Sequence, residues 1–111
     1  MEKTVTQVQE WEYQPLLNRR YDDLKRWLTP EKIKMGWVLA KKKLALHSHH
    51  PSFDLALAIG VDRRTVYHWI TGTHRPRQLS LVHIDAAFSR ILGEDWPEQV
   101  DRVLNEKGNH L

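Results

Sequence analysis

Residues 55–76 read LALAIGVDRRTVYHWITGTHRP, and their punctuation decides the fold. The first apolar period stops at Gly60, a residue that turns through positive φ at little cost. Asp62, an N-capping residue type, then opens a second period, Val66 and Trp69, which ends at Gly72. Two short helices meeting across a glycine-containing turn of this length have helix-turn-helix spacing. Ala56 is small where the two helices cross, and Val61, Val66 and Trp69 are expected to hold the second one against a core.

Working upstream, Ser52 is expected to cap a short helix over 53–59, after a pattern break at His47-Ser48-His49-His50-Pro51. Thr29-Pro30-Glu31 supplies a capping hydroxyl, a proline at the first helical position and an acidic first turn, a start signal for a helix running to about Leu46. Its stripe is Ile33, Trp37, Ala40 and Leu44. Before it, Leu17, Tyr21, Leu24 and Leu28 recur at helical spacing over 16–28. Downstream of the motif, Ile84, Ala87, Phe88 and Ile91 mark a helix over 79–92. Val100, Val103 and Leu104 mark another over 97–107, with Asp95 and Glu98 at capping-box spacing and Gly108 as its stop. The chain is therefore expected to be all-α: a flexible arm over 1–15, then one helical domain over 16–111 with its motif at 53–71.

Composition narrows the chemistry. The 111 residues include no cysteine, which removes disulfides, thiolate nucleophiles and Cys-ligated metals. The longest stretches free of Asp, Glu, Lys and Arg, 44–53 and 65–74, have ten residues each, too few for the roughly 18–20 of a membrane span. The opening MEKTVTQVQEWEY is polar and acidic rather than basic and then apolar, so a cytoplasmic protein is expected. No Gly-rich phosphate loop, G-x-S-x-G or H-E-x-x-H occurs, and Asp22-Asp23 and Glu94-Asp95 read as exposed or capping acids. The expectation is a protein that is not an enzyme and carries no cofactor. His47, His49 and His50 invite a metal, but zinc sites add a distant ligand and a second shell, so none is assigned.

Charge is distributed more informatively than the net +3 suggests. Residues 1–31 hold five basic and six acidic side chains, 32–90 hold ten and three, and 91–111 hold two and five, giving −1, +7 and −3. A basic middle between neutral and acidic ends suits a polyanion-binding face as well as it suits a solvated one. The pattern Leu55, Ala56, Gly60, Val61, Thr65, Val66, Trp69, Gly72 and Pro76 resembles the Cro and phage-repressor family of helix-turn-helix proteins, and with the flanking helices the resemblance covers about residues 31–93. It implies a compact helical bundle with extra N-terminal and C-terminal helices, and a recognition helix beginning at Asp62 that enters the DNA major groove.

Carried over position by position, the resemblance assigns base contacts to Arg63, Arg64 and His68, with Tyr67 against the groove wall or a thymine methyl. Cations are unfavourable at the positive end of a helix, so local stability does not account for the two arginines. Ser52, Thr65, Thr71, Thr73, His74 and Arg75 fall where backbone contacts are expected, and Arg77 where a narrow minor groove would be met. Lys41, Lys42 and Lys43 fit phosphate contact or a solvated face equally. Because one helix reads few base pairs, the resemblance implies a homodimer on a pseudo-palindromic operator. Trp11, Tyr21 and Trp27, or Trp96, Val100, Val103 and Leu104, are candidates for the dimer interface, unless they cover the core. The functional expectation is a small dimeric repressor occluding a promoter. The alternative is an antitoxin or phage-encoded inhibitor that binds a protein partner through an N- or C-terminal extension.

Overall fold

The computed structural model describes residues 20–109, and α-helices are the regular elements within them. In chain order these are α1 over 20–27, α2 at Pro30–Leu44, α3 at Pro51–Ile59, α4 at Arg63–Ile70, α5 at Gln78–Leu92 and α6 at Trp96–Asn109. The all-α expectation holds for these residues. The arm over 1–15, residues 16–19 and Trp11 lie outside the described residues. No helix among those described is long and apolar enough to cross a membrane.

Local chemistry accounts for most boundaries. The Thr29 hydroxyl accepts the Lys32 N–H at 3.2 Å, and Pro30 occupies the first turn of α2, where its missing N–H costs nothing. Gly60 ends α3 at φ +89°, a conformation that side chains with a Cβ rarely adopt. Other boundaries differ from expectation. Pro51 already belongs to α3, so the capping position falls on His50, which makes no side-chain cap bond, and Ser52 sits half-buried inside the first turn. Ser48 takes over the bracing: its hydroxyl donates to Asp54 and accepts the His50 N–H at 3.0 Å. At α6, Asp95 accepts from the Gln99 side chain at 2.9 Å, and the capping box with Glu98 does not form. Gly108 does not stop that helix, which continues to Asn109.

α2 is the hub, packing against α3, α4, α5 and α6. This is why it buries Met35 and Gly36 in addition to the expected Ile33, Trp37 and Ala40. A helix contacted on several sides cannot be read from one amphipathic stripe. The remaining core comes from Tyr21 and Leu24 of α1, Leu55, Ala56 and Ile59 of α3, Val66 and Trp69 of α4, and Leu81, Ile84, Ala87 and Phe88 of α5, with Trp96 and Val100 of α6. The terminal helices therefore serve the core. Tyr21 is 7% exposed and Trp96 and Val100 are 0% exposed, so these three are withdrawn as dimer-interface residues; Trp27, Val103 and Leu104 are partly buried against the same core.

Trp96 organises this junction. Its ring meets Phe88 edge-on at 5.0 Å and Trp27 edge-on at 5.5 Å. Its indole N–H donates to Asp85 at 2.8 Å, and the same carboxylate accepts two bonds from Arg20 at 2.7 and 2.8 Å and one from the Ser89 hydroxyl at 3.2 Å. Burial pushes the Asp85 carboxyl up, but the bonds from Arg20 and Trp96 outweigh it and hold the group below the usual carboxylate range. A second polar stitch joins Trp27 to Asp101 at 2.9 Å, with Lys32 at 3.5 Å from Asp101 and 4.5 Å above the Trp27 ring.

Two expectations about stability follow from this packing. Gly36→Ala would place a Cβ 2.6 Å from Cε2 of the fully buried Phe88 ring, so its gain in helix propensity is outweighed. The variant should lose about 1–3 kcal/mol in denaturant unfolding. Asp85→Ala leaves the buried Trp96 N–H unpaired and should cost about 2–3 kcal/mol. Because the folded-state pKa of Asp85 is depressed, its contribution is complete above the unfolded carboxylate value, about 3.9, and is lost as pH falls through the lower folded value. An acid titration of stability that is as steep in Asp85→Asn as in the parent protein would refute this assignment.

Candidate nucleic-acid interface

α4 is short, so its ends and its burial define what it can present. Asp62 caps it: one carboxylate oxygen accepts the Thr65 N–H at 2.8 Å and the Thr65 hydroxyl at 2.7 Å. The Thr65 hydroxyl and N–H hold the Asp62 carboxyl below its ordinary range, and the nearby Arg64 charge adds to this. Val66 and Trp69 are buried, and they fix the rotation of the helix about its axis. With that rotation set, Arg63 and Arg64 are exposed at the first two positions and Tyr67, one turn later, is 64% exposed. Neither arginine forms an ion pair among the described residues. Residues three and four apart share a helix face, so these three side chains point to one side.

Not every expected contact residue stands free. The hydroxyl hydrogen of Thr65 is committed to Asp62, and Thr65 is half-buried. Thr71 donates to the Tyr67 carbonyl at 2.9 Å and lies 2.9 Å from the Thr73 hydroxyl, so it serves to close the end of α4. His68 is half-buried because the following loop folds back over the last turn: the His74 N–H donates to the His68 carbonyl at 3.2 Å, and the two rings meet edge-on at 4.9 Å. Its Nδ1 is enclosed and has no hydrogen-bond partner among the described residues. That nitrogen cannot reach a base without movement. Thr73, His74, Arg75 and Arg77 are exposed along the loop.

The loop itself is anchored. Gly72 adopts φ +79°, and a Cβ there would lie 3.4 Å from the Pro30 ring, so the turn rests on the start of α2. Ser52 faces an open cleft of about 500 Å³ that it shares with His50, Pro51, Phe53 and Arg63. The first turn of α3 and the first residue of α4 are thus brought together. Lys42 and Lys43 are exposed and Lys41 half-buried in the last turn of α2, where cations complement the negative end of the helix dipole. Lys25 of α1 was not singled out from the sequence, yet it borders a small cleft beside His74 and Arg75. Alternating acids and bases along 19–26 resemble an ordinary solvated helix face and conceal such a neighbour. Among the described residues no group of three or more His, Asp and Glu side chains is arranged to hold a metal.

Compared with protein-family models, with curated proteins and with solved structures, the chain finds no match. Asp62→Ala removes the acceptor that starts α4, so it should lower the melting temperature and loosen Arg63 and Arg64. Amide exchange at Thr65 that stays as slow as in the parent protein would count against the capping role.

Proposed function

We propose that the chain is a sequence-specific double-stranded DNA-binding regulator of the helix-turn-helix type, working as a small cytoplasmic homodimeric repressor that occludes a promoter. One observation carries the reading: a capped helix, locked in rotation by buried Val66 and Trp69, presents at its outward end Arg63 and Arg64, exposed and without an ion pair among the described residues. A guanidinium donates two parallel hydrogen bonds to guanine O6 and N7, which explains why arginines would be kept at a helix start that disfavours them. Exposed Tyr67 extends the same face toward a thymine methyl, and Thr73, Arg75 and Arg77 extend it toward phosphates. The sequence resemblance to the Cro and phage-repressor family supports the same docking. An eight-residue helix is about 12 Å long and spans only a few base pairs, so two copies on a pseudo-palindrome are required for specificity.

A second reading keeps a protein partner, as for an antitoxin or inhibitor, but on α5 rather than on an N- or C-terminal extension. α5 is apolar on its outward side too, with Leu79 66% and Val82 45% exposed, and a helix apolar on opposite sides has a further surface to cover. A stable stoichiometric complex that survives Arg63→Ala/Arg64→Ala would move the assignment to that reading.

Selection from a random duplex pool at near-physiological salt should return a two-fold symmetric motif with half-sites about one turn, roughly 34 Å, apart. Arg63→Ala or Arg64→Ala should then weaken binding to that motif about 10- to 100-fold while leaving nonspecific duplex binding nearly intact. Equal loss on every sequence would contradict base reading.

A further inference from the structure

We infer that α1 contributes a DNA-backbone contact of its own: the cleft between α1 and the loop after α4 seats one phosphate of the duplex, held by Lys25, His74 and Arg75. The inference rests on the DNA-binding reading and extends it to a helix outside the span of the family resemblance. The cleft has a floor of Ile33, Trp69 and Leu81, each at most 5% exposed, and a rim in which Lys25, His74 and Arg75 stand with the uncharged Leu28, Thr29, Pro30 and Pro76. No acidic residue lines it. Lys25 and Arg75 are exposed and form no ion pair among the described residues, whereas Lys32 and Arg20 nearby are already paired with Asp101 and Asp85.

Size selects the occupant. The cleft measures about 60 Å³, far below the roughly 300–1,000 Å³ of pockets that enclose drug-sized ligands. It has room for one compact anionic group. An apolar floor keeps the local dielectric low behind the cations and concentrates their field at the opening. The rim is also preorganised from both sides. α1 is fixed by the two bonds from Arg20 to Asp85 and by Trp27 on Asp101. The loop is fixed by the His74 N–H on the His68 carbonyl and by Gly72 resting on Pro30. Lys25 therefore belongs to the same surface as Arg75, beyond the C-terminal end of α4, while Arg63 and Arg64 mark the other end.

The test measures the affinity of the full chain for a random-sequence duplex between 50 and 200 mM salt, for the parent protein, Lys25→Ala and Lys32→Ala. A phosphate contact by Lys25 predicts a plot of log affinity against log salt that is shallower by about one for Lys25→Ala, with the loss uniform across sequences. Lys32→Ala removes an equal charge that is already paired and should leave the slope unchanged. If the parent protein binds duplex and Lys25→Ala keeps the parental slope, the inference fails and the DNA-binding reading stands. If the parent protein binds no duplex, both fail. Inorganic phosphate provides the other arm: amide shifts around Lys25 and Arg75 on titration with phosphate, without any salt-slope change on duplex, would make this a free-anion site and overturn the proposal.

Discussion

Asp85 accepts hydrogen bonds from Arg20, Ser89 and Trp96, and the placement of three helices depends on that carboxylate. A half-buried ionised group loses part of its hydration, and here donors from α1, α5 and α6 converge to replace it. The bonds are directional, so they specify as well as stabilise. Hydrophobic burial alone would let α1 and α6 slide along the bundle, whereas a forked guanidinium and an indole N–H on one carboxylate allow a single register.

The constraint reaches the candidate interface through α2. Trp96, oriented by Asp85, presses on Phe88, and Phe88 sits against Gly36, the one residue of α2 without a side chain at the closest approach. With α2 fixed, its first residue, Pro30, supports Gly72, and its contacts with α3 and α4 set the angle at which Arg63 and Arg64 face outward. The proposed DNA-facing surface is thus carried by short helices that would not be stable alone, and a larger hydrophobic assembly behind them supplies the rigidity. This arrangement suits docking onto a preformed rod-like ligand, because little ordering entropy remains to be lost on binding.

Much of this is legible in the sequence. Thr29-Pro30, Asp62 and Gly60 announce helix boundaries through capping chemistry and backbone freedom that act within a few residues, and all three behave as their types dictate. Exposed Arg63, Arg64 and Tyr67 follow from the spacing of Val66 and Trp69. What resisted reading depends on long-range partners. Asp85 reads as one more surface acid until Arg20 and Trp96 meet it. Met35 and Gly36 break the expected stripe of α2 because that helix is surrounded. Ser52 looks like a cap, yet the fixed φ of Pro51 starts the helix two residues earlier and leaves the bracing to Ser48. Trp96 and Val100 have the apolar spacing of an interface, and only the packing of α6 on α2 and α5 shows that they are buried within the chain.

Stitching together the two ends of the described chain has a consequence for the order of events during synthesis. Arg20 bonds to a carboxylate 65 residues further on, and Trp27 to one 74 residues further on. α1 leaves the ribosome before α2–α6, and the acceptors of Arg20 and Trp27 arrive only with α5 and α6. The segment α2–α5 can assemble from neighbours close in sequence, a fast kind of pairing, whereas the closure by α1 and α6 spans almost the whole chain and comes last. A polypeptide truncated before Trp96 would therefore leave Trp27, and the apolar side of α1 around it, facing solvent. Such a fragment is a natural substrate for chaperones and proteases, so protection of α1 waits on the synthesis of α6.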